Sequence, residues 1–146
     1  MKYYLAYGSN LHKEEMAKRC PQASVVGVSE IADYELLYKG ECKKAYLTIE
    51  ACRGASVPVG VWQVSDEDIA FLDEYEDFPQ LYYKKDIELS VICADGQTRI
   101  LPCFVYIMHE ENKIALPDQS YVDVCMQGYD DFGFDKAILK EAFPKM

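Results

Sequence analysis

The chain is poor in the patterns that build metal centres, membrane anchors and nucleic-acid surfaces. It has only two histidines, His12 and His109, and none of its six cysteines forms a CxxC pair. Zinc sites need thiolates or imidazoles at short, repeated spacings, so Cys20, Cys42, Cys52, Cys93, Cys103 and Cys125 read as reduced core or surface thiols, and no metal is expected. No apolar run approaches the roughly 18 residues that span a bilayer, and Met1 and Lys2 lead straight into a strand-like segment. The expectation is a soluble, cytoplasmic protein with no membrane partner. Basic residues are also scarce: 15 Lys and Arg face 25 Asp and Glu, a formal charge of −10. That field repels phosphate backbones and argues against a nucleic-acid partner. Internal repeats, low-complexity tracts and linkers are missing as well. With 146 residues, 50% of them hydrophobic, the chain can bury a core without a disulfide or metal staple, and a single domain over residues 1–146 is expected.

What is present is a series of short apolar segments with clear punctuation. Tyr3 to Tyr7 reads as a buried strand that stops on Gly8, Ser9 and Asn10, with Asn10 as the expected N-cap of a helix ended by Pro21. Strands are expected at 23–28, 34–40, 44–50 and 57–64. Ser65 and Asp68 form a capping-box pattern opening a helix that Pro79 closes. Two longer strands, 82–92 and 98–108, flank Asp95-Gly96, a strong hairpin signal. Pro102 within the second implies an edge or a bulge. Helices are expected from Asp118 or Ser120 and again over 134–143. Roughly seven strands and four short helices, in hairpin-like order without a βαβ rhythm, predict an α+β fold around a mixed, mainly antiparallel, barrel-like sheet.

Two features carry chemistry. A strand, a glycine turn and a helix start in succession line up backbone N–H groups suited to anionic or carbonyl oxygens, and Gly8 lets a ligand approach closely. The other feature is Glu76. At about 100° per residue, Ile69, Leu72 and Glu76 lie within roughly 60° of one another, while Glu67 and Glu74 point away. Glu76 is a carboxylate on the apolar face, with Asp73 flanking it. Held against apolar surroundings, its pKa rises toward the range that suits proton exchange near neutrality; at a frayed helix end it would simply reach solvent. Tyr75 and Trp62 read as packing residues, and Asp130 and Asp131 as a solvated pair in a turn.

Together, "YLAYGSNL" (residues 4–11) and "GVWQVSDEDIAFLDEYEDFPQLYYKK" (residues 60–85) resemble the γ-glutamylcyclotransferase-like (AIG2-like) family. The resemblance implies that family's fold and a cofactor-free cleavage of a γ-glutamyl amide, in which the substrate's α-amino group attacks its own γ-carbonyl and 5-oxoproline and a free amine leave. It implies Glu76 as the catalytic acid/base, and Tyr7, Gly8, Ser9 and Asn10 as the loop that holds the glutamyl group. Tyr82 matches the family's Tyr after the glutamate, and Tyr121 more loosely a substrate-contacting Tyr in its C-terminal third. Asp77 stands where the family usually has Gly; if that position has a positive φ, Asp bears a steric cost there. The competing reading is a non-catalytic module that binds a small carboxylate-bearing metabolite. It gains nothing from a negative charge at Glu76. The amine half of the substrate and the oligomeric state stay open at this level.

Overall fold

The computed structural model describes residues 1–145. Five strands, β1 (Lys2–Ala6), β2 (Ser24–Glu41), β3 (Lys44–Val64), β4 (Tyr82–Cys93) and β5 (Thr98–Met108), close into a barrel in the order β1-β3-β2-β4-β5. All pairings are antiparallel except the one that closes the barrel, where β1 and β5 run parallel through Tyr3–Cys103 and Tyr4–Phe104. The α+β class with a mainly antiparallel, barrel-like sheet is therefore the observed architecture.

The expected count of seven strands is corrected to five. Segments 23–28 and 34–40 are one strand, β2, and segments 44–50 and 57–64 are one strand, β3. The breaks in the apolar pattern fall at irregularities of the ladder, not at chain reversals. Pairing skips between Val25 and Gly27 and between Ala32 and Tyr34, and opposite the second skip Ser56 and Ala51 bracket an unpaired excursion. Asp33 has φ 62° there and its carboxylate accepts the Gly54 N–H at 3.0 Å. Such bulges bend strands and let a long hairpin wrap a small barrel. Pro102 sits opposite Glu88 in an unbroken β4–β5 register, with β1 contact starting only at Cys103, so the edge explanation holds. The Asp95-Gly96 turn joins these two strands as expected, with Gly96 at φ 86°.

The helices pack around the barrel: α1 (Lys13–Arg19), α2 (Asp66–Tyr75), α3 (Gln119–Phe132) and α4 (Ala137–Ala142). Ser65 and Asp68 complete the expected capping box of α2, and Asp118 caps α3. Asn10 is not the cap of α1. A short 3-10 turn, Ser9–Leu11, intervenes, and His12 caps α1 by accepting the Glu15 N–H on Nδ1 at 3.2 Å. Asp130 and Asp131 lie in the last turns of α3 and not in a loop; Asp131 accepts the Lys13 N–H at 3.0 Å and so secures the start of α1. Gly128 permits α3 to press against the 3-10 turn, since a Cβ there would meet His12 N and Leu11 Cβ at 2.7 Å. The core runs through the barrel and beneath α3, and Cys20, Cys93, Cys103 and Cys125 are buried in it as free thiols. Among the described residues no helix is long and apolar enough to cross a membrane.

Candidate active site

At the end of β1 the chain leaves the sheet through Tyr7 and Gly8 into the 3-10 turn. The turn's ladder begins with Leu11 N–H to Gly8 O at 3.0 Å and His12 N–H to Ser9 O at 3.1 Å. The N–H groups of Gly8, Ser9 and Asn10 thus precede it, as the first donors of any helical turn do. Several side chains hold this loop. Trp62 Nε1 donates to Asn10 O at 3.1 Å, and Asn10 Nδ2 donates to the Tyr4 hydroxyl at 2.9 Å. Arg19, in the last turn of α1, donates to Asn10 Oδ1. Ser9 Oγ and the Tyr75 hydroxyl share a hydrogen bond of 2.7 Å.

Glu76 is the C-cap of α2, at φ −86° and ψ 1°. This bridge conformation is one in which active-site residues recur. Asp77, next in sequence, has φ 51°. The glycine expected there from the family pattern is thus replaced by a residue that bears a steric cost in the left-handed region. Asp73 is occupied elsewhere: its Oδ1 accepts from Tyr106 Oη at 2.6 Å and pairs with Lys84 Nζ at 2.8 Å. Only one of the two candidate carboxylates on the apolar face of α2 is directed to the site.

Glu76 and the loop share a cavity of about 310 Å³. Every residue anticipated for the site lines it: Tyr7, Gly8, Ser9, Asn10, Glu76, Tyr82 and Tyr121. The absence of a side chain at Gly8 keeps the wall close, since a Cβ there would sit 3.3 Å from both Leu47 Cδ1 and the Tyr121 hydroxyl, tighter than ordinary van der Waals contact. Tyr82 and Tyr121 make their bonds to the backbone of one residue of β3: Tyr82 Oη donates to Leu47 O at 2.8 Å, and Leu47 N–H donates to Tyr121 Oη at 3.0 Å. The two tyrosines thereby satisfy a strand edge and bring Leu47 to the cavity wall. Tyr7 donates to Tyr106 O at 2.7 Å, which ties the loop to β5.

Reading the sequence missed Tyr4, Tyr46, Tyr75 and Tyr106, which also line the cavity. Tyr75 is corrected from a packing residue to a wall residue that bonds Ser9. The continuous apolar runs of β1 and β5 marked Tyr4 and Tyr106 only as buried residues; nothing local marked Tyr46. Trp62 remains a buried core residue, with its indole N–H fixing the loop.

The electrostatics follow from this wall. Burial pushes the Glu76 carboxyl from its ordinary 4.5 up to about 8, against the partial opposing pull of Arg19. At neutral pH the group is therefore largely protonated. Burial, and then the neighbouring Glu76, push the phenols of Tyr4 and Tyr7 well above their ordinary value; burial does the same to Tyr82 and Tyr121. All four stay neutral hydrogen-bonding groups. The cavity thus brings together a carboxyl pushed up toward neutrality, the glycine loop and neutral hydroxyls.

A cavity of this size, with one carboxyl among neutral hydroxyls, suits a small, polar molecule. The family model "Gamma-glutamyl cyclotransferase, AIG2-like" matches residues 4–123, and the chain belongs to this family of enzymes. It is 29% identical over 137 residues to the γ-glutamylcyclotransferase of Mus musculus, covering 89% of this chain and 71% of that one. It is also 29% identical over 76 residues to γ-glutamylaminecyclotransferase B of Danio rerio, where the match takes in 52% of this chain and only 40% of the relative's length. The fold superposes on a solved γ-glutamyl cyclotransferase with a TM-score of 0.82 at 22% identity, covering 99% of this chain and 89% of that one.

Proposed function

We propose that the protein cleaves a γ-glutamyl amide by cyclisation, with Glu76 as general base and then general acid. The observation that carries this reading is the shared cavity: a carboxyl pushed to about 8 by burial faces the same space as the glycine loop. An α-amino group titrates at about 7.7–8.0 in model compounds, so proton exchange between it and Glu76 has little thermodynamic cost.

The steps balance without water. The ionised fraction of Glu76 takes a proton from the substrate's neutral α-amino group as its nitrogen lone pair attacks the γ-carbonyl. The new C–N bond closes a five-membered ring, and negative charge develops on the carbonyl oxygen. N–H groups of Gly8, Ser9 and Asn10 are the donors available for that oxyanion or for the α-carboxylate. The tetrahedral centre then collapses, the original amide C–N bond breaks, and Glu76 returns the proton to the departing amine. The products are 5-oxoproline and the free amine. Nucleophile and electrophile belong to one molecule, so holding the glutamyl chain folded supplies an effective molarity of about 10⁵ M or more. Tyr7, Tyr82 and Tyr121 shape that folded conformation and exclude water from it.

The amine half lies toward the half-exposed tyrosines 46 and 75 and the exposed Asp77. A formal charge of −10 favours a cationic amine half through long-range attraction. Relative rates on γ-glutamyl-lysine and γ-glutamyl-glutamate at low and high salt check this; a preference unchanged by salt removes it. The reaction itself is tested by mass-spectrometric detection of 5-oxoproline from a panel of γ-glutamyl compounds, with wild type beside Glu76→Gln. Product from wild type and little from the variant is expected. A Gln variant as active as wild type would reject Glu76 as the base. A folded wild type that binds panel members without releasing 5-oxoproline would favour the binding-module reading.

A further inference from the structure

We propose that Arg19 is a positioning residue for the site: it ties the glycine loop to the end of α2 and so sets where, and in what field, Glu76 sits. Arg19 does not line the cavity; it acts from behind the wall. Its guanidinium carbon lies 3.6 Å from the centroid of the Tyr75 ring, stacked on the residue that precedes Glu76. The same guanidinium donates to Asn10 Oδ1, and Asn10 in turn donates to Tyr4. Tyr75 closes the circuit by sharing a hydrogen bond with Ser9. The guanidinium and the Tyr75 ring it stacks on thus join α1, the loop and α2. Arginine suits this task because its fork can bond an amide oxygen while its face stacks on an aromatic ring; lysine offers the charge without that geometry.

The charge has its own consequence. The cavity around Glu76 is lined by phenols from β1 (Tyr4), the loop (Tyr7), β3 (Tyr46), β4 (Tyr82), β5 (Tyr106) and α3 (Tyr121), and its own segment adds Tyr75 and Asp77. Arg19 is the cation that opposes the effect of burial on it. Asn10 therefore has two roles, as a donor in the loop and as the arm through which a cation is held near the base.

This assignment of a role in turnover rests on the cyclisation reading, but its test does not. With ¹³C-glutamate labelling, the Glu76 carboxyl resonance, assigned by its loss in Glu76→Gln, is titrated in wild type, Arg19→Met and Arg19→Lys. Arg19→Met is expected to raise the Glu76 midpoint by roughly 0.5–1.5 pH units, from the loss of one partly screened charge. Arg19→Lys is expected to keep the midpoint within a few tenths of a unit, yet raise KM through the loosened loop. Each unit of upward shift lowers kcat/KM at pH 7 by about tenfold in Arg19→Met. A midpoint unmoved in both variants, with thermal stability intact, overturns the proposal. Loss of Glu76 titration through unfolding of Arg19→Met leaves Arg19→Lys to decide: KM equal to that of wild type overturns the positioning role. A shifted midpoint in a protein that never forms 5-oxoproline would reject the cyclisation reading and retain the coupling between Arg19 and Glu76.

Discussion

The β4–β5 hairpin and the junction of loop and α2 are built under opposite rules. From Tyr82 to Ile92 the hairpin pairs residue for residue with Met108 to Thr98, and its turn uses Gly at the positive φ. At the junction a half-buried carboxylic acid stands among phenols, Asp77 takes a positive φ without being glycine, and loop N–H groups stand outside any ladder. Local preference and global fold agree in the first region and conflict in the second. Such conflicts concentrate where a protein does chemistry, because the strained or desolvated group is what the reaction uses.

The sharpest way to break the comparison is to remove the conflict at Glu76. Glu76→Gln is expected to lower kcat by roughly 10²- to 10⁴-fold, the usual worth of a positioned acid/base. It should also change stability with a definite sign. The folded carboxyl titrates near 8 and the unfolded one near 4.5, so between those values the folded chain holds a proton that the unfolded chain has lost. Wild-type stability therefore falls as pH rises through that window, while the Gln variant is flat across it. At pH 9 the variant is expected to be more stable by about 1–3 kcal/mol, discounted because the cavity opens to solvent. Denaturant midpoints at pH 5 and pH 9 measure this.

Gly8→Ala sharpens it next. The added methyl crowds Leu47 and Tyr121 at the wall, and a displacement of that kind is expected to cost roughly 10- to 100-fold in kcat/KM. Steady-state rates with an unchanged melting temperature would localise the effect. Tyr82→Phe strips the Leu47 carbonyl of its donor and is expected to destabilise by about 1–2 kcal/mol, read from urea titration. The smallest effect belongs to Asp77→Gly. Relief of the positive φ, partly offset by the greater freedom of unfolded glycine, is expected to stabilise by at most about 1 kcal/mol without loss of activity. A large loss of activity instead would give the Asp77 carboxylate a part in the site.

How far the sequence was legible follows the same division. The capping box at Ser65, the hairpin at Asp95-Gly96 and the edge position of Pro102 rest on local chemistry, and each stands in the structure. Glu76 was legible because helical periodicity placed it on an apolar face. The merging of four expected strands into β2 and β3 was not, because a bulge and a chain reversal interrupt an apolar pattern in the same way. The cap of α1 moved from Asn10 to His12 because tertiary partners, Trp62, Tyr4 and Arg19, claim Asn10. Tyr46 and Tyr75 reached the cavity through contacts distant in sequence, which composition and periodicity do not encode.

The central claim is that burial makes Glu76 the proton carrier of a cyclisation. The measurement that tests it most directly is the pH dependence of kcat/KM for 5-oxoproline release by wild type, with Glu76→Gln as the background. The account predicts a bell whose acid limb lies near pH 8 and vanishes into the background in the variant. An acid limb in the ordinary carboxylate range near 4.5, or a variant that keeps the wild-type profile, would contradict it.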